Sequence, residues 1–520
     1  MDYFYIKFSA LSIKSLAGQT VYYGLSNIAS KLLNYFLTPF YLGLIPPATY
    51  GEMQNVYAYI PFLNIVLTYG METAFFRFAK KENQQHVLGS ATISLLVSTT
   101  AICILLFLMR GPVIHSYAGE LAGLSANPGF YTYIILIMAF DTLAAIPFAQ
   151  LRLEGRPIRY AIIRIAGIAA TVGFNVFFLY LCPKLYQQGH HWLPNVQTGD
   201  SQLGYVYLSN MLGSGLTLLL FLPQYLRIEW KFDTALWKKM IQYALPLIIV
   251  GMAGMVNETF DRAWFLPQYL PGDDMEAKKV IIGLYSANYK LAILITMFIQ
   301  AFRLGAEPYF FKQAEGEHPQ RVYARIMKLF VILLCFMFLF VSLYLNIWKI
   351  FLRKPFYYPG MRIVPVLLLA NMFLGIYYNL TIWFKLTDRT RAGAVITLIT
   401  AALAFLLNYW WIPVMGYYGA ALATMVCYFV QMAICYVWGQ KHYPVPYHLP
   451  RIITYITLAV VTWYLFHLLN TRLLSPGDIY ALKPLSLAVA TLLFGAYAWF
   501  ILKMEKKEFR KLPFIGRFLR

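Results

Sequence analysis

The 520 residues are 60% hydrophobic and only 12% charged, with a mean hydropathy of +0.58, which is too apolar for a soluble protein of several domains. The formal net charge is +21, yet Lys and Arg fall in short segments between apolar runs instead of forming one stripe, which argues against nucleic acid and for basic loops at a membrane face. The expected fold is an all-α polytopic membrane protein.

In chain order, about fourteen apolar runs of roughly 20 residues follow one another, the length that crosses a hydrocarbon layer of about 30 Å. Nothing at the N-terminus has the form of a cleaved signal, so the first run is expected to stay. Six runs, at 18–42, 56–76, 88–108, 130–148, 160–181 and 204–226, form a first lobe over residues 1–226. A basic segment, Arg227 to Lys239, reads as a cytoplasmic linker. Six more runs, at 240–265, 280–301, 327–348, 364–384, 392–411 and 416–438, form a second lobe over residues 240–440. Two further helices lie within 441–502, and a basic tail closes the chain at 503–520. With a cytoplasmic N-terminus, the inner segments carry about 29 Lys and Arg and the outer loops about 10, so both termini are expected inside. The loop holding Lys349, Arg353, Lys354 and Arg362 runs against that bias and is read as an ordered interfacial turn.

The two lobes echo one another. Gly24, Asn27 and Lys31 precede Gly254, Asn257 and Asp261 by about 230 residues. Gly70-Met71-Glu72 with Phe75, Phe76, Arg77 and Ala79 matches Gly305-Ala306-Glu307 with Phe310, Phe311, Lys312 and Ala314, both reading G-x-E-x-x-F-F-(R/K)-x-A. Asn175 and Asn408 form a weaker third pair. The copies are six spans apart, an even number, so the lobes enter the membrane in the same direction and pack as parallel repeats around a central cavity. The glycines serve either as hinges of the repeat or as points where helices approach closely.

Charges inside apolar runs are costly and usually face a bundle interior or a wet cavity. On helical rise, Lys31 lies near mid-membrane, Lys290 about one third in from the outer side, Arg164 shallowly on the cytoplasmic side, and Glu258, Asp261 and Arg262 toward an outer end. Two readings stand. In one, Asp261 and Arg262 are structural ion-pair partners and Lys290 snorkels outward. In the other, Lys31, Arg262 and Lys290, with Arg164, line a cationic cavity for an anionic headgroup. Glu72, Glu307, Glu258 and Asp261 are candidates for ion pairs or ion coupling, and Asp141, isolated near the middle of the fourth run, is the better proton or cation candidate.

No chemistry of bond-breaking is evident. A P-loop is absent, His and Cys have no metal-ligand spacing, and Cys103, Cys182, Cys335, Cys427 and Cys435 mostly sit in apolar runs as small hydrophobes, so neither disulfide, metal nor cofactor is expected. No outer loop exceeds about 25 residues, too little for an extramembrane catalytic domain.

Near the eleventh and twelfth runs the chain resembles a known family. Asn408-Tyr409-Trp410-Trp411-Ile412-Pro413, then Gly416 and Gly419-Ala420-Ala421-Leu422-Ala423-Thr424, is similar to the N-x-x-x-I-P-x-x-G-x-x-G-A-A-x-A-T signature of polysaccharide flippases. Asp261-Arg262 followed by Gly283-Leu284-Tyr285-Ser286 resembles their D-R…G-x-Y-S stretch. The resemblance covers nearly the whole chain and implies the Wzx-type O-antigen flippases of the multidrug/oligosaccharidyl-lipid/polysaccharide (MOP) exporter superfamily. It further implies undecaprenyl-pyrophosphate-linked oligosaccharide as substrate, the bacterial inner membrane as location, alternating access with H+ or Na+ as a candidate driving ion, and a polysaccharide polymerase as a candidate partner. A lipid II flippase, a drug/cation antiporter of the same superfamily and a membrane polysaccharide polymerase or ligase stay open as alternatives.

Overall fold

In hydrocarbon a backbone N–H or C=O has no water to turn to, so apolar runs of this length must satisfy their polar groups internally. The elements are accordingly helical, with no strand among the described residues. The computed structural model describes residues 28–509 except 122, 126, 197–198, 314–317, 388 and 476–477, and omits the side chains at 118, 199–200, 305, 307–308, 311–312 and 509. Gly24, Asn27 and most of the basic tail lie outside the described residues.

The long helices are α1 (28–44), α2 (Pro47–Thr68), α3 (Met71–Phe78), α4 (Gln84–Leu108), α5 (Gly129–Leu153), α6 (Pro157–Gln187), α7 (Ser201–Leu220), α8 (Thr234–Tyr269) and α9 (Met275–Gln313). They continue with α10 (Pro319–Ser342), α11 (Pro355–Leu386), α12 (Thr390–Met415), α13 (Tyr417–His442), α14 (Leu449–Leu474) and α15 (Pro484–Met504). The 12 helices from α4 to α15 are long and apolar enough to cross a membrane. Against the expected count of about fourteen, the first expected run is described only from residue 28, and α2 carries Glu52, Gln54, Asn55 and Asn64 among its apolar residues.

The chain forms two compact units, one of residues through Ser286 together with Thr397–Ala423, the other of Ala287–Ile396 together with Thr424 onward. In the first, α6 and α7 cross at small residues. A Cβ added at Gly167 would lie 2.0 Å from Thr217 Oγ1, and one at Gly213 would lie 1.9 Å from Thr171 Oγ1, so only glycine allows this approach. A buried cluster of Met71, Phe75, Val87, Leu88, Ile146, Leu236 and Met240 joins α3, α4, α5 and α8. In the second unit, Phe310, Tyr323, Ala324, Ile382 and Val445 form a smaller core. There Lys328 of α10 donates to Glu505 Oε2 at 2.6 Å, and Tyr455 of α14 donates to Glu505 Oε1 at 2.7 Å, just past the end of α15.

Three expected boundaries change. The run at 56–76 is not one helix: α2 ends at Thr68, and Tyr69 (φ 34) and Gly70 (φ 72) turn left-handed before α3 begins, a turn that Gly70 makes at no steric cost. The expected linker Arg227 to Lys239 is shorter, because Asp233 caps α8 by accepting from the N–H groups of Ala235 and Leu236 at 2.9 and 3.0 Å, an N-cap that starts the helix at Thr234. At the second copy of the glycine motif, α9 runs unbroken through Gly305 to Gln313, so the two copies share sequence but not backbone form. The segment around Lys349 forms two 3₁₀ turns, with the Lys349 ammonium 5.3 Å from the Tyr358 ring centre.

Candidate functional site

The most polar stretch of α8 is also its least regular. Residues Asp261–Phe265 wind as a π-helix, and Pro267 follows. A π turn would have residue 267 donate to the carbonyl of 262 and an α turn to that of 263, but proline has no N–H to give. Asn55 of α2, fully buried, fills the gap: its Nδ2 donates to Arg262 O at 3.0 Å and to Ala263 O at 3.1 Å. Asp261 Oδ1 accepts from the Arg262 backbone N–H at 2.8 Å and lies 3.4 Å from Arg262 Nε, while Oδ2 accepts from the Tyr285 hydroxyl at 2.6 Å. Arg262 Nη2 donates to Glu258 O at 2.6 Å.

Asp261 and Arg262 are 6% and 8% exposed. Each charge lies beside its counter-charge and takes hydrogen bonds, the arrangement that burial of charge requires. Arg262 is buried, with its guanidinium beside Asp261 and on a helix carbonyl. Glu258 itself is exposed and contributes its backbone carbonyl to this corner.

Other cations remain accessible. Lys31 on α1 and Arg164 on α6 are exposed, and Lys290, in the second unit, is half-buried on α9. Arg164 lies with its guanidinium 5.4 Å from the Phe148 ring centre. Asp141, exposed on α5, is hydrogen-bonded by Ser214 of α7 and lies in the field of Arg164. The fold thus gathers Asp141 and Arg164, two residues that the sequence reading assigned to separate tasks.

The repeat residues take unequal roles. Glu72 pairs with Arg152, whose guanidinium also lies 5.0 Å from the Phe76 ring centre, and Arg77 stacks 4.2 Å from the ring centre of Tyr243. Glu72 is therefore a salt-bridge residue here; Glu307 lies in α9, its side chain outside the described set. Asn257 donates to Thr400 Oγ1 at 3.1 Å. Gly254 is not a point of close approach, since a Cβ there would meet nothing within 4 Å. Asn175 and Asn408 play one role twice, each donating to the carbonyl four residues back, Thr171 O at 2.8 Å and Ala404 O at 2.7 Å.

The flippase-like signatures are architectural. Gly416 (φ 59) turns α12 into α13, and a Cβ at Gly419 would sit 2.5 Å from Trp411 O. Contacts that the sequence did not single out are those of Asn55 and the pair of Glu52 with Lys279. For Asn55 the available signal was Pro267, five residues beyond Arg262; Glu52 and Lys279 carried none, because their pairing joins positions far apart in sequence. Among the described residues, no group of three or more His, Cys, Asp or Glu side chains could hold a metal ion.

Known proteins share this arrangement of helices. A solved structure of the lipid II flippase MurJ in an inward closed conformation matches with a TM-score of 0.67 at 12% identity, over 92% of this chain and 98% of that one. An inward-facing multidrug resistance MATE transporter of the MOP superfamily matches with a TM-score of 0.58 at 13% identity, over 79% and 94%. A point mutant of the Vibrio cholerae MATE transporter VcmN gives a TM-score of 0.54 at 13% identity, over 83% and 98%. The protein thus shares the fold of these solved structures. Within it, residues 16–188 match the profile of the family described as polysaccharide biosynthesis protein. No curated protein sequence matches the chain.

Proposed function

We propose that the protein is a flippase that moves an undecaprenyl-pyrophosphate-linked oligosaccharide, the repeat unit of an O-antigen, capsule or exopolysaccharide, across the bacterial inner membrane by alternating access, with both termini cytoplasmic. The observation that carries this reading is the polysaccharide-biosynthesis match over residues 16–188, lying in a chain whose fold is shared with a lipid flippase. Coverage supports it: the MurJ structure matches 92% of this chain, whereas the two MATE structures match 79% and 83%.

The chemistry of such a substrate asks for little bond-making and much solvation. A sugar-pyrophosphate headgroup is polar and anionic, so its passage needs a wet cationic path, while the polyprenyl tail stays in lipid. Lys31 and Arg164 are the candidate cations of the first unit, and Lys290 that of the second. Asp141, beside Arg164, is the coupling group for H+ or Na+, and its carboxylate competes with the pyrophosphate for the same guanidinium. A polysaccharide polymerase is the downstream partner. The protein transports and does not catalyse.

The test is the fate of lipid-linked oligosaccharide in a deletion strain, with the membrane side read by a glycan-directed label on spheroplasts. The expected result is glycolipid trapped inside, released outward by the wild-type chain. Trapped lipid II in place of oligosaccharide would transfer the reading to lipid II flipping. Single repeat units outside that fail to lengthen would mean a polymerase.

A further inference from the structure

One end of the second unit is cationic on the side that the sequence places outside, where Lys and Arg are scarce. α10 ends at Ser342, and from there to Val364 the chain carries Lys349, Arg353, Lys354 and Arg362 with no carboxylate. The connection between α14 and α15 lies at the same end, because Tyr344 donates to Thr491 Oγ1, two turns into α15, at 3.1 Å. That connection adds exposed Arg472 and Lys483 against one acid, Asp478. The turn itself is firmly set. Leu352, Tyr357 and Met361 are fully buried, and Asn288 of α9 donates to Tyr357 O at 2.9 Å. Arg353 (φ 61) holds a left-handed backbone, which a non-glycine residue keeps only where its surroundings impose it, and its side chain is exposed. Among the described residues neither Lys349 nor Arg353 has a carboxylate partner. Ile347, Ile350 and Phe356 stand exposed among these cations. Asn346, one turn before Lys349, is buried with neither amide atom paired among the described residues.

We infer that this end of the second unit is a docking surface for the phosphate headgroups of anionic phospholipids in the bilayer. Lys349 and Arg353, uncompensated by any carboxylate, match a phosphate in charge, and the guanidinium matches it in bidentate geometry as well. Ile347, Ile350 and Phe356 have the place that apolar side chains take in an interfacial segment, dipping toward the acyl chains beside the headgroups. Tyr344, Trp348 and Tyr358 belong to the aromatic belt at that depth. A phosphate oxygen held at Lys349 would also take up the Asn346 amide N–H, a buried donor that is costly to leave unused. A soluble acidic partner fits less well, since it gives the exposed isoleucines and phenylalanine nothing to enter. Anionic lipid further accounts for four cations in a loop that runs against the charge bias of the rest of the chain. The inference rests on the second unit alone and not on which glycolipid the protein carries.

The test uses the full chain in nanodiscs of phosphatidylcholine with a trace of photoactivatable phosphatidylglycerol, and maps cross-linked peptides by mass spectrometry. Cross-links are expected within 346–362. Lys349→Gln combined with Arg353→Gln should reduce them roughly tenfold or more, since each cation near an anionic surface contributes about fivefold to binding. Lys349→Arg with Arg353→Lys keeps both charges and should retain most of the labelling, which separates loss of charge from loss of fold. Photoactivatable phosphatidylcholine should label the segment weakly, and equally in all three proteins. Equal labelling by the two lipids, or a Gln double variant that labels like the wild type, would overturn the docking surface. Displacement by undecaprenyl pyrophosphate far below the phosphatidylglycerol concentration would overturn the choice of ligand and assign the surface to the carrier lipid. The cross-linking needs no glycolipid, so its failure leaves the substrate assignment to its own test.

Discussion

Tyr285 reaches from α9 to Asp261 on the π-wound turn of α8, a hydrogen bond of 2.6 Å between residues that are both buried. It fixes the corner between the two helices and leaves Asp261 with partners on both oxygens. Tyr285→Phe keeps the ring and deletes the donor, so a buried carboxylate loses a charge-assisted bond worth about 1.5–3 kcal/mol. Thermal unfolding in detergent should register that loss. Asp261→Asn should cost more, about 3–5 kcal/mol, because Arg262 then keeps its charge without a counter-charge.

Asn55 is predicted to matter through Pro267. Asn55→Ala leaves the carbonyls of Arg262 and Ala263 without their donor, a penalty of about 1–3 kcal/mol for each buried group left unpaired. Pro267→Ala in the same chain restores one backbone N–H to the ladder. The double variant should therefore be more stable than the sum of the two single losses, a coupling that a double-mutant cycle on melting temperature resolves.

Glycines separate what the sequence made legible from what it hid. The repeat pointed to Gly254, where a Cβ would meet nothing within 4 Å, while the contact lies at Gly51 and Gly283. Gly254→Ala should be tolerated or stabilise the helix by about 0.5–1 kcal/mol, whereas Gly283→Ala, whose Cβ would lie 2.4 Å from Pro47 O, should lower the melting temperature. Apolar length gave the helices because hydrocarbon leaves the chain no other option. Charge inside a run gave Asp261 and Arg262 because burial of charge is rare. Neither rule reaches Asn55 or Glu52, whose partners are more than 200 residues away. The π turn escaped as well, since a helical repeat cannot distinguish four residues from five over one turn.

The Glu505 node predicts a pH dependence. Burial would raise this carboxyl, but the hydrogen bond from Lys328 and that from Tyr455, with the nearby charge of Arg451, outweigh it and hold the group below its ordinary value. A depressed folded-state value contributes stability above the unfolded value, about 4.3 for Glu, and loses it as the pH falls through the folded one. The melting temperature of the wild type should thus drop across that acid window. Glu505→Gln should start lower at neutral pH and show a smaller drop there. Equal acid sensitivity in both proteins would place the titrating group elsewhere.

Lys31 and Arg262 were candidates for one task and should fail in different ways. Lys31 is exposed on α1, while Arg262 is enclosed with Asp261. If the headgroup path runs past Lys31, Lys31→Ala abolishes glycolipid export with the melting temperature unchanged, because an exposed lysine contributes little to stability. Arg262→Ala should lower the melting temperature by stranding Asp261, and lose export only as far as folded protein is lost. Adding Asp261→Asn to Arg262→Ala removes the stranded charge, so it should recover part of both. Recovery of stability without export would instead return Arg262 to the substrate path, as a cation that the flipped headgroup needs once the pair with Asp261 opens.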